Sequence, residues 1–346
     1  VFRSERFSAF APAPTIREFT VKGSRSPSWC RWLHETVALK TPSSGRRVEK
    51  SPFALFQLLS GASAKRPRAT FAAQEVASML AAFVGFAMFF GLSFMAAESL
   101  SRRAFGEHPQ LWRAWSPDAA RSTAILGRTA AGYLFVTVFF AYDVLLYFYA
   151  TRLFGWWAPS DALIHPDVLA SYFPWLSAIA NSLQAGFWEE SLFRAVPIAG
   201  AALIGDRFGK RKLFIVLAFI VQAIVFGAGH APYPTQPSYS RPVELIVPSI
   251  GFGLLYLYLG LLPGIVLHYT FDVVWFAIPL FVSTAPGIWI DRLMVIVLTL
   301  VPLWVVFGAR LRRGAWIDLS AAFRNRAWLP PPAAAPPPRL VTEAPA

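Results

Sequence analysis

Seven apolar runs divide this 346-residue chain, and most are too long and too poor in charge to be the core of a water-soluble domain. They cover residues 71–97, 125–154, 176–206, 211–230, 243–260, 262–284 and 289–309. A helix rises 1.5 Å per residue, so about 20 residues cross a hydrocarbon core of about 30 Å. In hydrocarbon every backbone amide needs an internal partner, which makes each run a helix. The alternating pattern of a membrane β-barrel is missing. Pro174, the 206–212 cluster, the Pro-rich 232–242 stretch, Pro263-Gly264 and Pro286-Gly287 separate the runs. The expected fold is all-α: a polytopic integral membrane bundle of seven to eight transmembrane helices over residues 71–310.

Composition agrees with the runs. Charged residues make up 15% of the chain, against about 25% in soluble domains, and its high apolar content excludes a disordered chain. A single cysteine, Cys30, excludes a disulfide framework and a cysteine-based metal site within one chain. Residues 1–70 hold 13 Lys and Arg against 4 Asp and Glu, with no sustained period. They read as a basic, poorly ordered N-terminal arm beside an acidic lipid surface; the scattered charges follow no nucleic-acid recognition motif. Residues 311–346 read as a Pro/Ala-rich C-terminal tail.

Arginine and lysine in the short loops set an orientation. The 206–212 cluster, Arg310 with Arg312 and Arg313, and Arg102, Arg103, Arg113 and Arg121 fall on one side of a seven-span bundle, expected to be cytoplasmic. Lys65, Arg66 and Arg68 run against it.

Ionisable groups within these runs carry the functional argument, because each costs roughly 2.5–3.5 kcal/mol to place at the bilayer centre. Three clusters stand out. Glu189, Glu190 and Arg194 occupy one run, Phe226 and His230 end another, and His268 and Asp272 lie on a third. Glu190 and Arg194 are four apart and share a helix face, so they can pair. Glu189 points about 100° away and is left for proton transfer. His268 and Asp272 repeat the four-residue spacing, and Gly227 and Gly229 would let another helix approach His230 closely. Glu189 with His230 can take a proton from water, and His268 with Asp272 can stabilise an oxyanion. The same Glu189, His230 and His268 would also suit a three-ligand zinc with one open position. Asp143, midway along the second run, is expected to pair with Arg128 or Arg152, or to face a cavity.

EExxxR at Glu189–Arg194, FxxxH at Phe226–His230 and HxxxD at His268–Asp272, in that order within apolar segments, resemble the CPBP intramembrane proteases. That family includes the type II CAAX prenyl proteases and bacteriocin self-immunity proteins. The resemblance covers about residues 125–285. It implies an all-helical membrane protease domain within 71–310 that hydrolyses a peptide bond of a membrane-associated protein, in the inner (plasma) membrane of a bacterium. It makes Glu189, His230, His268 and Asp272 catalytic, with Glu190 and Arg194 supporting them. The CAAX proteases usually have Asn where this chain has Asp272. A non-catalytic membrane scaffold or immunity factor is the alternative. The partners implied are a membrane protein or peptide and the lipid bilayer, with no nucleic acid.

The family has been described both as metal-dependent and as a glutamate protease. Here no His-Glu-x-x-His pair supplies two ligands from one helix, and Arg194 can balance the second carboxyl. The expected cofactor is therefore none, with zinc held by Glu189, His230 and His268 as the alternative. One geometric conflict stands in the sequence. Counted from the inner ends of their runs, Glu189 and His230 lie 17 and 18 residues deep and His268 only 6. At 1.5 Å per residue these are depths of about 25–27 Å and about 9 Å. Straight spans cannot bring them together, so Pro263-Gly264 is expected to start its helix within the membrane.

Overall fold

Long apolar stretches with few glycines and prolines fold here as helices, and among the described residues no β-strand forms. The computed structural model describes residues 68–158 and 168–328. Of the basic arm assigned to residues 1–70, residues 1–67 lie outside the described residues, as do 329–346 of the tail. All side chains discussed below belong to the unit Ala72–Ala346.

The main helices are α1 (Arg68–Ala104), α2 (Thr123–Phe154), α3 (Pro174–Glu189), α4 (Val196–Arg207), α5 (Arg211–Gly229), α6 (Ser240–Glu244), α7 (Ile246–Leu259), α8 (Leu261–Val282), α9 (Ile288–Thr299) and α10 (Val301–Arg313). Five segments are long and apolar enough to cross a membrane: Ala73–Ala104, Thr123–Phe154, Arg211–Gly229, Ser240–Leu259 and Leu261–Val282. The pair α9 and α10, bent by 59° at Leu300, makes a sixth if taken as one span. The expectation of seven to eight is therefore not reached on length and composition. The missing run is 176–206, which a π turn at Glu190–Ala195 splits into helices of 16 and 12 residues. Neither is long enough alone.

Helix α8 is the axis of the bundle. Residues Leu261–Thr270 are all buried, and α2 and α3 pack along it. Two glycines permit the close approach. A Cβ at Gly132 of α2 would stand 2.9 Å from the Pro263 carbonyl oxygen, and one at Gly186 of α3 would stand 3.1 Å from the Tyr269 amide nitrogen. At the lipid side the pattern reverses: Phe83, Leu92, Val144 and Leu153 are exposed, as expected for helices solvated by acyl chains.

Helix α8 begins inside the protein, which resolves the depth conflict. Gly260 turns the chain at a φ of 85°, a conformation that favours glycine, and is itself buried. Carbonyl groups freed at the turn find side-chain donors: Arg128 Nε donates to Leu259 O at 2.8 Å. His108 Nε2 lies 3.1 Å from Leu257 O. Burial pulls the His108 imidazole down to about 4. It is therefore neutral near pH 7, and the carbonyl, which only accepts, places its hydrogen on Nε2. Irregular backbone is tolerated at such a point because protein, not lipid, surrounds it.

The three basic clusters meet at one end of the bundle. Arg211 donates to the Ala104 carbonyl at 2.5 Å, and Arg121 to that of Arg313 at 3.2 Å. Residues 314–328 fold back over the same end, where the Gln110 amide donates to Phe323 O at 2.9 Å and that of Asn325 to His108 O at 2.8 Å.

Gly132→Ala should destabilise the protein by about 1–3 kcal/mol, since the new methyl group must displace α8 backbone. Gly127→Ala, on the same helix with nothing within 4 Å of its Cβ position, should leave stability unchanged or slightly raised. Thermal unfolding of the two variants in one detergent checks the contrast.

Candidate active site

The site is assembled at the π turn. On a regular helix adjacent side chains diverge by about 100°, so Glu189 and Glu190 would not reach one atom. The π turn widens the helix from Glu190 onward, and π turns recur at functional sites. At the entry to this widening the backbone at Glu189 and Glu190 is still regular helix, and the two carboxylates approach His268 of α8 on its two different ring nitrogens. Glu190 Oε1 lies 2.9 Å from His268 Nδ1, and Glu189 Oε2 lies 3.7 Å from Nε2. Asp272, one turn along α8, places Oδ2 3.6 Å from the same Nε2. A carboxylate only accepts, so the hydrogen shared with Glu190 belongs to Nδ1. Gly264, four residues before His268, leaves the space for Glu190: a Cβ there would stand 3.0 Å from Glu190 Oε2.

The partner on His268 Nδ1 is thus Glu190, whereas sequence spacing paired His268 with Asp272. Glu190 is 1% exposed and also pairs with Arg194, whose Nε lies 3.7 Å from Oε2. Arg194 is fully buried, and it donates from Nη1 to Gln222 Oε1 of α5 at 2.7 Å. Its guanidinium lies 4.1 Å from the ring centre of Phe226 and 5.3 Å from that of Phe252, within cation–π range. Gln222 is held by its own Nε2, which donates to Ser249 O at 3.0 Å and Phe219 O at 3.2 Å. A chain of polar groups therefore runs from α7 through α5 and the π turn to His268.

His230 caps the end of α5. Its Nδ1 lies 2.8 Å from Phe226 O, so Nδ1 carries the hydrogen and Nε2 points onward. The His230 ring packs 4.5 Å from Phe226 and 5.6 Å from Tyr233 between centroids. Of the two glycines expected to admit a neighbouring helix here, Gly227 does so, with the Pro242 carbonyl 2.9 Å from its Cβ position; Gly229 has nothing within 4 Å.

Glu189, His230, His268 and Asp272 line one cavity of about 680 Å³, with Glu190 and Arg194 buried behind its wall. The cavity has a second polar end that sequence reasoning did not assemble. There Tyr147 of α2 donates to Glu244 Oε2 at 2.6 Å, Arg241 pairs with Glu244 Oε1, and Tyr142 donates to the Glu244 carbonyl at 2.8 Å. Asp143 lines the same end. Arg128 and Arg152, its expected partners, are engaged elsewhere, Arg128 with Leu259 and Ala124 carbonyls and Arg152 over the Phe148 ring. The available signals were the Arg241–Glu244 spacing, taken as part of a Pro-rich separator, and Gln222, a lone amide in an apolar helix.

Among the described residues no three His, Cys, Asp or Glu side chains are grouped so as to hold a metal ion. Glu190 on Nδ1 leaves His268 Nε2 facing the cavity, 3.7 Å from Glu189; a carboxylate on the other ring nitrogen is equally the setting of a histidine that ligates a metal, so this contact does not discriminate.

Residues 171–274 match the family model described as type II CAAX prenyl endopeptidase Rce1-like. That segment takes in Glu189, Glu190, Arg194, His230, His268 and Asp272. No curated protein and no solved structure matches the chain.

Arg194→Met should destabilise the protein by about 3–5 kcal/mol, because it strands the Glu190 carboxylate in a dry interior. Adding Glu190→Gln should recover part of that loss. Unfolding midpoints of the single and double variants test this; equal and additive losses would show that the two charges do not depend on each other.

Proposed function

We propose that this chain, whose residues 171–274 form an Rce1-like type II CAAX prenyl endopeptidase domain, is an intramembrane endopeptidase of the glutamate type. The observation that carries the reading is the setting of His268: Glu190 on Nδ1 at 2.9 Å, with Glu189 and Asp272 flanking Nε2 at 3.7 and 3.6 Å in a cavity wall. Those two gaps are too long for direct hydrogen bonds and leave Nε2 facing the cavity.

In this reading Glu189 removes a proton from water, with His230 Nε2 as a second acceptor, and the water oxygen bonds to the scissile carbonyl carbon. Charge develops on the carbonyl oxygen. His268, oriented through Nδ1 by Glu190 and charge-balanced by it so that it can hold a hydrogen on Nε2 as well, donates to that oxygen, with the Asp272 carboxylate beside the same nitrogen. The carbon–nitrogen bond then breaks as the proton held by Glu189 passes to the leaving amine. Atoms balance as one water consumed per peptide bond.

The continuous run Pro174–Arg207, helical through the π turn, supplies a seventh span in this proposal, with the basic end of the bundle in the cytoplasm. The substrate is a protein or peptide held at the membrane, since the cavity opens among helices whose outer faces are apolar.

Purified protein in lipid vesicles, given quenched fluorescent peptides with a lipid anchor, should cleave them. Glu189→Ala should lower kcat by about 10²–10⁴-fold, with the unfolding midpoint kept near that of the parent. His268→Ala should lower kcat as well, and should also lower the unfolding midpoint, because it removes a partner of the buried Glu190. Turnover that survives Glu189→Ala would sink the mechanism, and a scaffold keeping this core for structure alone would show no turnover at all. A chelator titration separates the chemistries: activity should persist, and loss restored by zinc would point to a metal enzyme instead.

A further inference from the structure

Asp143 is a buried carboxyl group for which the described residues supply no hydrogen-bond or ion-pair partner. It sits midway along α2, is 7% exposed, and faces the cavity. Among the described residues no hydrogen bond or ion pair reaches it. Its charged neighbours are paired with one another. Glu244 receives Tyr147 and Arg241 on its two oxygens, and Arg241, the cation whose field reaches Asp143, is thereby committed. Arg128 and Arg152 are turned to other contacts.

An unpaired ionisable group within a membrane helix is expensive, and it is tolerated where it serves a ligand. The cavity around it carries four carboxyl groups, Asp143, Glu189, Glu244 and Asp272, against the single guanidinium of Arg241. Such a balance attracts a cation and repels an acidic segment. Phe139, one turn before Asp143 on α2, lines the cavity, as do Trp156 and Trp157 beyond the end of that helix. Aromatic faces suit the methylene stem of a long side chain and stabilise its charged head. Asp143 also lies outside residues 171–274, so the part of the chain that supplies it is not the part that carries the family match.

We infer that Asp143 is the floor of a specificity subsite that takes a lysine or arginine side chain of the peptide substrate, at the end of the cavity away from Glu189. This rests on the endopeptidase reading above and names the substrate class for it: a membrane-held peptide with a basic residue a fixed number of positions from the scissile bond. The subsite works through binding. The substrate cation pairs with the Asp143 carboxylate, and the peptide bond is thereby placed at the Glu189 end.

The test uses the full chain in lipid vesicles and a set of palmitoylated, quenched peptides. Each pair differs at one position, lysine or norleucine, and that position is moved along the peptide. Norleucine keeps the stem and removes the charge. At one position the parent should prefer lysine by about ten-fold or more in kcat/KM, the scale of a desolvated charge pair. Asp143→Asn should bring that ratio to within about two-fold of unity, and Asp143→Lys should make a glutamate peptide the preferred one. The ratio is internal to each protein, so a variant that folds only in part still reports it. A ratio that survives Asp143→Asn, or a flat profile at every position, overturns the subsite.

Binding of the same pairs to the Glu189→Ala protein, read by fluorescence polarisation, keeps the two readings apart. A lysine preference in Kd that is lost on adding Asp143→Asn, with no turnover by the parent, would retain the subsite and remove the endopeptidase. Turnover that depends on Glu189, with no lysine preference in either assay, would do the reverse.

Discussion

The contact between Glu190 and His268 is the interaction on which the rest of the site depends. It joins the π turn to the central helix in an interior where an uncompensated charge would cost several kcal/mol. Glu190 cannot be left to that contact alone, and Arg194 lies on its other oxygen at 3.7 Å. The arginine in turn needs acceptors and faces, which Gln222, Phe226 and Phe252 provide. Each partner recruits the next, and four helices are drawn to one point. Packing follows the same demand: Gly264 admits the Glu190 carboxylate, and Gly186 lets α3 lie against α8 closely enough for the π turn to reach it.

Much of this was legible in the sequence because charge in an apolar run is conspicuous. Glu189, Glu190, Arg194, His230, His268 and Asp272 stand out as residues that lipid cannot solvate, and their order carries the family resemblance. The all-helical membrane architecture was legible for the same reason, from runs too apolar for water. What spacing could not show is the π turn. Reading Glu189 and Glu190 at 100° per residue separates them, yet His268 lies between the two and meets one on each ring nitrogen. The same turn splits the run 176–206 and lowers the number of unbroken spans.

Depth was misread for a related reason. Counting residues from the ends of apolar runs assumes that every helix starts at a membrane surface. Helix α8 starts at a buried glycine, with Arg128 and His108 covering the carbonyl groups of the preceding turn. Neither residue is near position 260 in sequence, so no local pattern marks the start. The cluster of Tyr147, Arg241, Glu244 and Asp143 was hidden similarly. Its members come from α2 and α6, almost 100 residues apart, and α6 is a five-residue helix inside a Pro-rich stretch.

The two ends of the cavity differ in how their polar groups are satisfied, and the difference separates chemistry from recognition. Around His268 the groups are tied to one another through buried partners, so the imidazole is held in one orientation before any substrate arrives. Fixed dipoles of that kind favour the transition state because they need not reorganise when charge develops. At the far end, Glu244 and Arg241 close on each other and leave Asp143 over. In the proposed function the first end acts on the peptide bond, and the second, with Asp143 left over, selects the side chain presented beside it. An endopeptidase working in a membrane would need both properties, since water must be held against one wall while the acyl chains of lipid, which lack any cation, are given nothing to bind on the other.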